Sequence, residues 1–365
     1  MLENKLKKKY IHAYRKLKDA IVSGSYPTGT KLPGKQMLAR QEGVSVITME
    51  HALSILEEEG YIEAHRRSGF YVLYEPDSLF GDKTEEETRP LKTEPDTPLS
   101  NDRETLPSSV YIRAVRHVLA TTADLPALKP PGKGMLALRQ ALVRYLHRSR
   151  DMKVHAEQIV IGGGSEYLYT LLVQLLGRDK TYAVEDPSYE KIARIYQAND
   201  VKIDYLRMGK DGITAAALAL TKADVLHITP YHSSPTRVTA DVNKRRAYIN
   251  WAKAHQAWII EDDYESEYTL SSKAEDTLFA MDPEHVIYVN TFTKTIGPSL
   301  RMSYMVLPEK LAETFDQKLG FYASTVSTLL QLTVADLLDE GAFERHVNRI
   351  RRRRRKARQA EQGKD

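Results

Sequence analysis

Apolar residues recur at helical spacing over residues 10–23, at Ile11, Tyr14, Leu17, Ile21 and Val22, and the segment SGSYPTGT then breaks the run. A second short helix is predicted over residues 36–41 and is stopped by Gly43. Ser45 is placed to cap a third helix over residues 45–59, whose inner face carries Met49, Ala52, Leu53 and Leu56 before Gly60 ends it. Residues 61–65 and 69–73 alternate as two strands around Arg66-Arg67-Ser68-Gly69. Three helices followed by a small hairpin predict an α+β winged helix-turn-helix in residues 1–74.

The pattern changes twice more. Residues 75–107 are dense in Asp, Glu, Thr and Pro, with few large apolar residues after Phe80, so they read as an acidic, Pro-rich, flexible linker. From residue 108 to 344 short apolar runs alternate with helical stretches, the signature of an α/β domain with a mostly parallel sheet. Strands are predicted at 159–161, 182–184, 225–228, 257–260, 286–289 and 304–307. Helices are predicted at 134–148, 166–176, 189–198, 214–222, 243–254 and 311–319. A basic helix over 343–358 occupies the last segment, 345–365.

Composition narrows the function classes. With 365 residues, 42% hydrophobic and 28% charged, the chain has material for two or three folded domains. It has no cysteine, which excludes disulfides, thiolate metal sites and a cysteine nucleophile. The start lacks an apolar signal core, and the most apolar stretch, 168–176, is interrupted by Tyr169, Thr170 and Gln174, so a cytoplasmic protein without membrane spans is expected. The net charge of +4 is unevenly spread: residues 1–74 carry +4 and residues 345–358 carry +9, which leaves −9 for the rest. Basic ends around an acidic middle are compatible with nucleic-acid binding. The eleven histidines show no metal-ligand spacing, and no metal site is expected.

The candidate chemistry lies at strand ends. Thr291-Phe292-Thr293-Lys294-Thr295 follows a predicted strand, Arg301 lies seven residues beyond Lys294, and Asp262 and Tyr264 close an earlier strand. In a pyridoxal-phosphate (PLP) enzyme a lysine amine forms a Schiff base with the cofactor aldehyde, and an acid opposite the pyridine nitrogen keeps the ring protonated. Asp262 suits the acid, Tyr264 a hydrogen bond to the ring phenolate, and Arg301 a bidentate clasp on the phosphate. An ordinary surface lysine and an ordinary strand-end acid remain open on these residues alone. The Gly162-Gly163-Gly164-Ser165-Glu166 run between a strand and a helix adds a second phosphate feature, because glycines admit close approach and helix N-terminal amides bind anions. It is neither a Walker loop nor a nucleophile elbow.

From about residue 10 to 358 these pieces resemble, in order, the MocR/GabR-type regulators of the GntR superfamily: a winged helix-turn-helix joined to a fold-type I aminotransferase-like domain. The segments that carry the resemblance are KLPGKQMLARQEGVS, EEEGYIEAHRRSGFYV, LPALKPPGKGMLALRQALVRYLHRSR, IGGGSEYLYTLL, VEDPSY, EDDYESEY and TFTKTIGPSLRMSYMVLP. The resemblance implies a Schiff-base Lys294, Asp262 on the pyridine nitrogen and Tyr264 on the phenolic oxygen. It places Arg301 and Thr291 at the phosphate with the amides around Gly164, Ser165 and Glu166. Tyr189 is similar to the aromatic that stacks on the cofactor ring, with a core tyrosine as the alternative. It also implies operator DNA as a partner, an amino-acid or amine effector that displaces Lys294, and a head-to-tail homodimer. Two other readings stay in view: a working aminotransferase with an accessory DNA-binding domain, and a regulator that has lost its cofactor.

Three departures from the family pattern stand out. Pro235-Thr236-Arg237 replaces the usual Pro-Thr-Gly, Leu128 and Lys129 replace an aromatic before the Pro131 turn, and Val46-Ile47 replace polar residues at the start of the recognition helix. Valine and isoleucine offer no bidentate hydrogen bonds to bases. The DNA contacts expected are therefore Lys35, Gln36, Ser45 and Thr48 on the helices, with Arg66 and Arg67 at the wing tip. The family continues into a C-terminal subdomain that supplies a carboxylate-binding arginine; the sequence ends at Asp365, so the cofactor floor is expected here without that clamp.

Overall fold

A computed structural model describes residues 2–65, 68–74, 104–269 and 276–362, with side chains 10–359 within those segments. The chain divides into two compact units, Met1–Pro98 and Leu99–Asp365.

The first unit contains α1 (Leu2–Val22), α2 (Lys35–Gln41), α3 (Val46–Glu58), β1 (Ile62–His65) and β2 (Gly69–Val72). Ser45 caps α3: its Oγ accepts the Thr48 amide at 3.1 Å. The helices close over Leu17, Ile21, Leu38, Met49, Leu53 and Leu56, all buried. The hairpin pairs Ile62 with Val72 and turns both into this core. The predicted winged helix-turn-helix is present, with α1 beginning eight residues before its apolar periodicity does.

The second unit contains α4 (Ser108–Thr121), α5 (Leu136–Arg150), β3 (Ile159–Gly162), α6 (Ser165–Leu176), β4 (Thr181–Asp186), α7 (Glu190–Ala198), β5 (Lys202–Gly209), β6 (Gly212–Ile213), α8 (Ala215–Leu220), β7 (Val225–Ile228), α9 (Val242–His255), β8 (Trp258–Asp262), α10 (Leu278–Met281), β9 (Val286–Thr291), β10 (Ser303–Val306), α11 (Glu309–Leu319), α12 (Thr328–Asp339) and α13 (Ala342–Gln362). Eight strands form one sheet in the order β3-β10-β9-β8-β7-β4-β5-β6. The pairs from β9 across to β5 are parallel, whereas β10 runs antiparallel to both β3 and β9.

Both faces of the central strands of this sheet are buried, which is why those strands read as continuous apolar runs. Val160, Val184, Ile260, Val289 and Met305 face α6, α7 and α11, while Ile161, Leu226, Ile259, Tyr288 and Tyr304 face the other helical layer. A mostly parallel doubly covered sheet opens a crevice beyond the carboxyl ends of its strands, and that is where a ligand site is to be sought.

Candidate functional site

At those strand ends lies a cavity of about 370 Å³. β8 delivers Asp262 and the following turn Tyr264 and Glu265; β9 delivers Thr291 and, two and three residues on, Thr293 and Lys294; the start of α6 delivers Gly164, Ser165 and Glu166. Arg301, Tyr189, Lys191 and Arg237 line it as well. Every residue expected at the cofactor therefore lines one space. Tyr189 is 47% exposed at the cavity, so it is not a core tyrosine. Lys294 is exposed at the rim, not set in apolar surroundings, and among the described residues its Nζ has no hydrogen-bond or ion-pair partner.

The floor is a buried polar cluster. The Asp262 Oδ2 accepts the Tyr169 hydroxyl at 2.9 Å. Burial pushes the Asp262 carboxyl up to about 7, since a charge there has no water to solvate it. Behind it on the neighbouring strand β7, His227 holds Nδ1 at 2.7 Å from the Tyr196 hydroxyl and directs Nε2 toward Asp262 at 4.0 Å. That Nε2 is buried with no hydrogen-bond partner, and burial drives the ring down to about 3, so it is neutral. His227 was not among the residues singled out from sequence; a histidine inside the otherwise apolar run Val225–Ile228 was the signal.

The opposite corner gathers two cationic side chains at the start of α6. Gly164 precedes α6 with φ +101°, and a Cβ there would lie 3.0 Å from Arg301 Nη2, so a glycine is what lets the guanidinium lie against the helix start. Arg301 itself has left-handed backbone (φ 45°). In this structure its guanidinium is paired with the Glu166 carboxylate, which also holds Lys191 at 3.1 Å. Hydrogen bonding from Lys191 and then from Arg301 keeps the Glu166 carboxyl below the ordinary carboxylate range. The Thr291 hydroxyl donates to Thr293 Oγ1 at 2.9 Å and accepts the Thr293 amide at 3.1 Å. The Tyr264 hydroxyl donates to the His232 carbonyl at 2.8 Å.

In the first unit Lys35 and Gln36 begin α2 and are exposed, with Lys35 paired to Glu50. Ser45 is exposed but committed to the cap of α3. Thr48 corrects the sequence reading: it is buried, and its hydroxyl lies 2.7 Å from Ser45 Oγ, so it closes the helix start instead of reaching outward. Ile47 is 78% exposed and Met37 56%, in keeping with the few direct base contacts expected of Val46-Ile47. Arg66 and Arg67 lie outside the described residues.

Comparison with known proteins accounts for both units. Residues 9–72 match the model of bacterial regulatory proteins of the gntR family, and residues 100–362 match that of aminotransferase class I and II. The HTH-type transcriptional regulator YdeL of Bacillus subtilis, itself uncharacterized, is 32% identical over 96% of this chain and 77% of its own length. The pyridoxine biosynthesis regulator PdxR of Corynebacterium glutamicum and the probable rhizopine catabolism regulator MocR of Rhizobium meliloti are each 28% identical, over 91% and 93% of this chain and 73% of theirs. The chain belongs to the MocR/GabR-type transcriptional regulators. Among solved structures, an archaeal alanine:glyoxylate aminotransferase matches with TM-score 0.61 and 22% identity over 67% of this chain, and the kynurenine aminotransferase of Pyrococcus horikoshii with TM-score 0.60 and 21% identity over 68%. This chain spans 63% and 64% of those two, and the likeness shows the aminotransferase fold alone.

The group implied for such a regulator is PLP, and the residues present suit it. The orphaned His227 Nε2 and the elevated Asp262 mark a floor that lacks a cationic partner, and the Gly164 and Arg301 corner supplies donors for a phosphate. Among the described residues no helix is long and apolar enough to cross a membrane.

Proposed function

We propose that this regulator holds PLP on Lys294 in its second unit and that an amino compound arriving there alters operator binding by the first. The observation that carries the reading is the convergence on one cavity of Lys294, a buried Asp262 backed by a neutral His227, and an anion corner at the start of α6. In this assignment Asp262 holds a proton at the pyridine nitrogen, with His227 behind it and Tyr169 donating from the side. Tyr264 faces the phenolic oxygen and Tyr189 covers the ring. Arg301, Thr291 and the amides of Ser165 and Glu166 take the phosphate. When bound, PLP supplies an aldehyde that a primary amine can capture and a ring that withdraws electrons from the attached carbon.

The gntR-family unit supports DNA as the partner, and with it action in the cytoplasm. Lys35 and Gln36 at the start of α2 contact the backbone in this reading, with Arg66 and Arg67 at the wing. A ligand regulates by binding one arrangement of the protein better than another. The family likeness supports a homodimer, which light scattering of the purified chain tests.

Absorption spectroscopy of the purified protein with added PLP, beside Lys294→Ala, tests the cofactor assignment. A visible band that borohydride fixes onto Lys294 and that is absent from the variant is expected. Lack of any lysine-dependent band would overturn the assignment and leave a DNA-binding unit joined to a cofactor-free fold.

A further inference from the structure

Arg237 stands out as a left-handed residue that is not glycine, at φ 60° in the turn closed by the Ser233–Val238 backbone pair. Such a conformation costs an L-residue about 1 kcal/mol or more and persists where the surroundings impose it. The Ser233 amide donates to Val238 O at 2.9 Å and the Arg237 amide to Ser233 O at 2.5 Å, so the backbone of the turn is pinned. That side chain is 58% exposed and lines the same cavity as Lys294 and Tyr264.

Its ion-pair partner is Glu265, at 3.0 Å through Oε2. Glu265 is mostly buried and is shared: Arg354 of α13 reaches its other oxygen, Oε1, at 3.4 Å. Arg237 can therefore leave Glu265 without stranding a buried carboxylate, since Arg354 still neutralises it. The result is a guanidinium at the cavity wall, already largely in water, held by a pair that is inexpensive to break, with a planar fork suited to a bidentate oxyanion. Of the other cations on this wall, Arg301 and Lys191 are both engaged by Glu166.

We propose that Arg237 reads an acid group on the effector, so that the second unit selects amino compounds bearing a carboxylate over plain amines of the same length. This rests on the PLP assignment above, with the ligand amine directed to the Lys294 position and its acid to Arg237.

The test uses the full chain loaded with PLP and follows the spectral change on titration with matched pairs: L-alanine and ethylamine, β-alanine and propylamine, γ-aminobutyrate and butylamine. For the pair whose length suits the cavity, the acid is expected to half-saturate at about tenfold lower concentration than its amine, the scale of one charge-assisted bidentate contact. In Arg237→Gln that ratio should fall to within about twofold, and Arg237→Lys should restore part of it. Arg237→Gly, which relieves the backbone, repeats the loss if glutamine disturbs the turn. Lys191→Gln should keep the preference. The proposal is overturned if no pair shows a preference in the wild type, if the preference survives in both Arg237→Gln and Arg237→Gly, or if it vanishes in Lys191→Gln instead. A wild type without a lysine-linked band overturns the cofactor assignment and this proposal together, whereas a band without acid preference overturns this proposal alone.

Discussion

At Glu166 one carboxylate sits between Arg301 and Lys191, in the corner where a phosphate would be held. A phosphate bound there meets a like charge at close range and competes for the same guanidinium, so Glu166 acts as a built-in competitor. Glu166→Gln removes the charge and keeps the shape. Its affinity for PLP is expected to rise by about three- to tenfold, a modest effect because both cations are more than half exposed and screened. Titration of the lysine-linked band measures it, and inorganic phosphate should become a correspondingly better competitor; unchanged or weakened PLP binding would show that Glu166 supports the corner. That Arg301 shares a cavity wall with Gly164 and the start of α6 was legible because guanidinium, glycine run and helix start form a chemical pattern along the chain. That Glu166 would turn its carboxylate into this corner was not, since only its backbone amide enters that pattern. Thr48 misled for a related reason: a threonine in the first turn of α3 has the residue type of a DNA contact, and only packing shows that its hydroxyl is turned toward Ser45.

At the scale of elements, three acids close the carboxyl ends of the central strands: Glu185 on β4, and Glu261 and Asp262 on β8. Burial lifts Glu185 and Glu261 to about 8 and Asp262 to about 7. The folded protein thus keeps protons that the unfolded chain releases near pH 4, so the stability from these groups is complete at low pH and is lost as pH rises through 7 to 8. His227 works in the opposite direction, but its contribution is complete once pH exceeds the ordinary histidine value of about 6.5. Between pH 6.5 and 8.5 the unfolding free energy of the cofactor-free protein is therefore expected to fall, by at most about 1.4 kcal/mol per pH unit for each carboxyl still protonated in the folded state, and to level off once pH passes about 8. Urea unfolding at the two pH values measures this, and Asp262→Asn should flatten part of the fall; a flat wild-type profile would show that water reaches these carboxylates. The strands bearing these acids were readable because a parallel sheet buried on both faces leaves uninterrupted apolar runs. β5 was not readable, because Lys202–Gly209 lies toward the sheet edge and mixes Lys202, Asp204 and Arg207 with Ile203, Tyr205 and Leu206. Helices α4 and α12 were missed, the first because its start abuts the linker, the second although Ser327 stands at its N-cap position, where its side chain makes no capping bond.

On the scale of the whole molecule, charge is segregated along the chain, and the basic α13 returns to the acidic middle at Arg354. Its Nε reaches Glu104 Oε1 at 2.8 Å, its Nη2 reaches Glu104 Oε2 at 2.5 Å and Glu265 Oε1 at 3.4 Å, and its guanidinium lies 4.5 Å from the centre of the Tyr268 ring. Residue 104, within the stretch predicted as linker, is thereby tied to the turn that lines the cavity. Hydrogen bonding from Arg354 holds the Glu104 carboxyl below its ordinary range. Because Glu265 also holds Arg237, the two arginines should not act independently. Losing either leaves Glu265 one of these two arginines; losing both leaves a mostly buried carboxylate stripped of them. Arg237→Gln and Arg354→Gln together are therefore expected to destabilise the protein by more than the sum of the single variants, with a coupling of about 0.5 kcal/mol or more. A double-mutant cycle by urea unfolding measures it. Additivity would mean that Glu265 is satisfied by solvent and that no mechanical link runs from the cavity wall through α13 to residue 104. Coupling would mean that an effector acid which draws Arg237 away strengthens the Arg354 grip on Glu265 in competition with Glu104, a route by which occupancy of the cavity reaches the segment leading to the DNA-binding unit.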